Sequence, residues 1–127
     1  MENARDVLAA WLNGLNNGDV NAVLNLYHGD SVLLPTFSGR TVRDRAAMAA
    51  YFERLGSRPR LNVDLHDATV SVQDLGSAHC ISGVYTWHFE EDGQLQSHEA
   101  RFTFVVDATQ QAPIIHHHSS LVPQDLS

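Results

Sequence analysis

The feature that most limits what this chain can fold into is a change of hydrophobic period near residue 60. Before it, apolar side chains recur at helical spacing; after it, they alternate. Ala4, Val7, Leu8, Trp11, Leu12 and Leu15 mark one buried face of a helix over residues 3–16, which Asn16-Asn17-Gly18 stops. Asp19 can cap a second helix with Val20, Val23, Leu24 and Tyr27 on its inner face, ending at the break His28-Gly29-Asp30. Ser31 to Pro35 reads as a short strand with a turn and a brief return at Thr41 and Val42. A third helix covers about 43–55, and Gly56 and Pro59 end it.

Beyond residue 60 the pattern is that of strands. Leu61, Val63 and Leu65 alternate with polar residues, and Val70 and Val72 follow on the opposite parity. A bulge near His66 and Asp67 accounts for the slip. Residues 78–90 and 95–107 form a long hairpin around Glu91-Asp92-Gly93, and residues 114–120 form the last strand. His116-His117-His118 belongs to that strand, since Ile114-Ile115 runs straight into it. Helices first and a run of strands afterwards predict an α+β fold, with three helices covering one face of a mostly antiparallel sheet. At 127 residues the chain suits a single domain over 1–127, with a loose tail after about residue 121.

Charge narrows the partners. The 15 acidic and 8 basic side chains give a formal charge of −7, and all the basic ones are arginine. That balance speaks against a nucleic-acid or anionic-membrane partner, which needs clustered positive charge. The start of the chain is charged and amphipathic, so neither a signal peptide nor a membrane span is expected, and the expected location is cytoplasmic. The lone Cys80 sits among apolar neighbours and is expected to be a structural thiol.

Five stretches carry a family resemblance. They are Trp11 with Asn16-Asn17-Gly18-Asp19, Leu26-Tyr27 through Asp30-Ser31-Val32-Leu33-Leu34-Pro35, and Gly83-Val84-Tyr85-Thr86-Trp87. The other two are Ala100-Arg101-Phe102-Thr103-Phe104-Val105, and His117-His118-Ser119-Ser120 with Pro123. Together they resemble the NTF2-like superfamily, nearest its SnoaL-like and SgcJ/EcaC-like branches and the association domain of calcium/calmodulin-dependent protein kinase II. The resemblance implies a cone: three helices on a strongly curved sheet, enclosing a pocket. In one respect the chain departs from the family pattern. Ala112 stands where a tryptophan usually precedes the last strand, so the lost volume is either filled or left open.

Strand alternation then nominates a site. Tyr85 and Trp87 share a face of one strand, Arg101 and Thr103 of the next, and His116 and His118 of the last. If the three faces coincide, a guanidinium, two imidazoles and two rings converge in the cone. Tyr27 can point in from its open end. Arg101 could hold a carboxylate or enolate oxygen, His118 or His116 could move a proton, and Tyr27, Tyr85, Trp87 and Thr103 could bind ligand. His116 and His118 could also chelate an ion, but no third ligand can be placed from sequence, so no metal is expected and no cofactor motif is present. The expected function is binding of a small molecule, with acid–base chemistry on a hydrophobic carbonyl-bearing metabolite. The alternative is a non-catalytic association module with a vestigial pocket. A homodimer fits both.

Overall fold

The computed structural model describes residues 3–123. Its elements are α1 (Ala4–Asn16), α2 (Val20–Leu24), β1 (Tyr27–Leu34), α3 (Arg45–Gly56), β2 (Asn62–Leu65), a 3-10 turn (Asp67–Thr69), β3 (Ser71–Asp74), β4 (His79–Glu91), β5 (Gln94–Val106) and β6 (Ile114–Leu121). Each helix starts on a side-chain cap. Asn3, Asp19 and Asp44 accept the backbone N–H of Asp6, Ala22 and Ala47, filling positions that the first turn leaves without partners.

The strands form one open sheet in the order β1-β6-β5-β4-β2, with β3 also pairing β4. All neighbours are antiparallel except β1 and β6, which run parallel. β2 and β3 share β4 end to end: Asn62–Leu65 lies against Tyr85–His88, and Ser71–Asp74 against His79–Ser82. The 3-10 turn between them does what the expected bulge near His66 and Asp67 was to do, and resets the phase. At the β4–β5 hairpin, Asp92 (φ 53°) and Gly93 (φ 78°) adopt left-handed backbone, the geometry of a tight hairpin turn. The exposed edge of β2 is closed by Asn16, whose side chain donates to the Val63 carbonyl and accepts from the Val63 N–H.

Two expectations are corrected. The second helix stops at Leu24, so Tyr27 lies on β1, and His28-Gly29-Asp30 belongs to that strand instead of forming a break. The return at Thr41 and Val42 is a single bridge between Leu33 and Val42. The last four residues of the expected loose tail lie outside the described residues.

The core lies between the helices and the inner face of the sheet. Val7, Trp11, Val23 and Phe52 come from the helices, and Ile81, Tyr85, Trp87, Phe89, Phe102, Phe104 and Ile114 from the strands. No helix among the described residues is long and apolar enough to cross a membrane.

Candidate functional site

The sheet register decides which expected site residues meet. Tyr85 and Trp87 pair with Ala100 and His98, and with Phe102 and Phe104 they define the inner face. Arg101, Thr103 and Val105 pair with Ser120, His118 and His116, and all six face outward. The expected convergence therefore does not occur. Arg101, Thr103, His116 and His118 do share a face, but it is the one turned away from Tyr27, Tyr85 and Trp87.

For the two histidines the cause is one residue; Arg101 and Thr103 face outward because they alternate with the buried Ala100, Phe102 and Phe104. Ile114 is opposite Val106 and fully buried, and His116 is opposite Val105, so Ile115 is an extra residue in β6. Because side chains alternate with period two, one inserted residue turns every following side chain to the other face. Without it His116 and His118 would point inward from Ile114. With it His117 does.

His117, which the spacing argument passed over, is the centre of a buried polar chain. Trp11 Nε1 donates to Tyr27 Oη at 3.0 Å. Tyr27 Oη lies 2.8 Å from His117 Nδ1, and His117 Nε2 lies 3.2 Å from Tyr85 Oη. Tyr85 donates to Ser119 Oγ at 2.7 Å, and Ser119 meets Thr36 Oγ1. Since the Tyr27 oxygen already accepts from Trp11, its own proton goes to Nδ1. That fixes the neutral tautomer with the proton on Nε2, which donates to Tyr85. Every bond in the chain then points the same way, so each strengthens the next. The imidazole also stacks on Phe104 at 3.8 Å between centroids. Burial, with His116 and His118 adding smaller effects, holds His117 well below its usual pKa and keeps it uncharged. Burial raises Tyr27 and Tyr85 above the usual tyrosine range, so both stay protonated.

These side chains leave the interior filled. Trp11, Tyr85, Trp87, Phe104 and His117 are each at most 2% exposed. Among the described residues, two buried polar atoms have no protein partner, Trp87 Nε1 and Ser31 Oγ.

Open space begins at the rim. A cleft of about 350 Å³ runs between the loop after β1 and the C-terminal end of α3, lined by Phe37, Tyr51, Arg54, Leu55, Ser57 and Arg58. Phe37 packs edge-on against Trp87 and Phe89, which ties this wall to the core. The Arg58 guanidinium lies 4.4 Å above the Phe89 ring, with Glu91 3.5 Å away. Burial pushes the Tyr51 phenol up to about 12, so it remains a neutral donor or acceptor. A second hollow, of about 490 Å³, lies beside Ala112, walled by Asn25, Tyr27, Gly29, Arg45 and Gln111. The hydrophobic pattern could have shown that Arg101 and Thr103 face outward. Nothing in it could have shown the cleft, whose walls come from residues 37 and 51–58.

The comparisons with known proteins agree on the architecture. No curated protein sequence matches the chain. A solved structure from Xanthomonas campestris, named as a candidate calcium/calmodulin-dependent protein kinase II association domain, is 30% identical with a TM-score of 0.83, over 98% of this chain and 91% of that one. An NTF2-like protein with a cystatin-like fold from Novosphingobium aromaticivorans is 16% identical, TM-score 0.76, over 96% and 81% of the two chains. A candidate dehydratase of the NTF2-like family from Streptomyces avermitilis is 15% identical, TM-score 0.80, over 94% of each. The last two likenesses show the cone fold alone. The model of the calcium/calmodulin dependent protein kinase II association domain matches residues 2–123. On that match and the 30% identity to the Xanthomonas protein, the chain belongs to the association-domain family.

Proposed function

We propose that the protein binds a small anion with a flat or apolar body, seated in the rim cleft between Phe37 and the end of α3. The observation that carries this reading is the meeting of two arginines, Arg54 and Arg58, with Phe37, Tyr51 and Leu55 in the lining of one cleft. Aromatic and aliphatic walls take up apolar ligand surface, and an arginine fork fixes a carboxylate. The acid–base chemistry expected of His118, His116 and Arg101 has no support at this cleft, because those residues lie on the opposite face of the sheet. The lone thiol suits a reducing, cytoplasmic setting.

Calorimetric titration with benzoate, phenylacetate and hexanoate tests the reading. Binding should fall about 10- to 100-fold in Arg54→Ala or Arg58→Ala, the worth of one charged hydrogen bond. No binding by any of the three acids, or equal binding by the double variant, would overturn it.

A second reading, self-association, is favoured by the family and by the outer face. There Val32, Leu34, Val84 and Val105 are half-buried beside Thr103, His116 and His118. Light scattering of the wild type and of Val105→Asp separates the two ideas. A dimer that Val105→Asp splits supports association through this face, and a monomeric wild type rules it out.

A further inference from the structure

On the outer face of β2, β4 and β5, the face turned away from the core, the register aligns three side chains. Ser97 is the cross-strand partner of His88, and Asp64 sits beside them, opposite Thr86. Ser97 Oγ lies 2.8 Å from His88 Nδ1, and His88 Nε2 lies 3.0 Å from Asp64 Oδ2. This is the relation of nucleophile, base and orienting carboxylate, built here from strand spacing. Carboxylate and hydroxyl together set the tautomer. Nε2–H donates to Asp64, and Nδ1 is left to accept the Ser97 proton.

Two further features turn the arrangement into a site. An open groove of about 570 Å³ runs past Ser97, lined by Thr86, Glu99, Leu121, Val122 and Pro123. Leu121 and Val122 are 47% and 42% exposed, an apolar strip at the end of β6. Thr86 Oγ1 lies 2.7 Å from His66 Nε2. When that nitrogen donates, the Thr86 hydroxyl is free to donate in turn to an oxygen in the groove.

We propose that Ser97 is an acyl-accepting nucleophile, with His88 as its base and Asp64 as the positioning residue, acting on uncharged or cationic esters whose acyl chain lies along Leu121 and Val122. Ser97 Oγ bonds to the ester carbonyl carbon while its proton passes to His88 Nδ1. The carbonyl oxygen takes up the displaced electron pair and accepts from the Thr86 hydroxyl. The carbon–oxygen bond to the alcohol then breaks, and His88 returns the proton to that leaving group. Water, deprotonated by His88, repeats the sequence on the acyl-serine and releases the acid, so ester and water give acid and alcohol. Glu99, beside the groove, disfavours anionic esters. The side chains of His88 and Asp64 are 35% and 62% exposed. Solvent weakens their coupling, so turnover is slow and the acyl-serine accumulates.

The test is p-nitrophenyl butyrate with the intact protein. One butyryl group should appear per chain, mapped to Ser97 by peptide mass. Release of p-nitrophenol should fall about 100-fold in Ser97→Ala and in His88→Ala, the usual worth of a positioned base. Asp64→Asn should lower kcat at unchanged KM, and Asp64→Glu should restore it, which a merely structural aspartate would not do. All three positions are on the surface, and circular dichroism checks the fold. Release by Ser97→Ala equal to wild type, or butyryl found only on another residue, would overturn the proposal.

Discussion

Acid should destabilise this protein through one side chain, His117. The imidazole is buried, accepts from Tyr27 and donates to Tyr85, so the folded state holds it neutral well below its usual pKa. In the unfolded chain it titrates at about 6.5. Between that value and the lower folded one, the unfolded state carries one more proton than the native state. Stability therefore rises with pH in this window, and is lost as pH falls below about 6.5, at about 1.4 kcal/mol per pH unit. From pH 7.5 to 5.0 the loss is about 2 kcal/mol, or about 8 °C in Tm for a chain of this size. The chain has seven other histidines, so the measurement is a difference. Urea unfolding is followed from pH 7.5 to 5.0 for wild type and for His117→Phe, which keeps the stack on Phe104. The variant starts lower, because the Tyr27 hydroxyl loses its acceptor at a cost of about 1–3 kcal/mol. The gap between the two should close by about 2 kcal/mol as pH falls. A gap that stays constant would refute the neutral, buried imidazole.

Three other outcomes follow from packing and from the cleft. Gly14→Ala puts a Cβ 2.7 Å from Val23 Cγ2, so despite better helix propensity it should cost about 1 kcal/mol or more. Adding Val23→Ala should reverse that clash, read as favourable coupling in a double-mutant cycle of urea midpoints. Phe104→Ala removes the ring under His117 and should cost about 3–5 kcal/mol in the same assay. Arg58→Met keeps much of the stem over Phe89 while deleting the charge; it should weaken benzoate binding and change stability by less than about 1 kcal/mol.

Much of the fold was legible because periodicity is a local property. The caps at Asp19 and Asp44, the turn at Asp92-Gly93 and the alternation of Phe102, Phe104 and Val106 each depend on residues a few positions apart. The site was less legible. Val20, Val23, Leu24 and Tyr27 fit a helical stripe that puts Tyr27 at a helix end, but pairing with Ile114 draws it into β1. That contact lies 87 residues away along the chain and leaves no local trace.

By itself the sequence determined that the helices precede the long strands, and that His116 and His118 share a face opposite His117. Only the tertiary structure decided which of those faces is the inside. The decision rests on the extra residue Ile115, which is visible only when β6 is laid against β5. Alternation fixes relative orientation within a strand, whereas absolute orientation is set by the partner strand, and a one-residue slip between them exchanges core for surface.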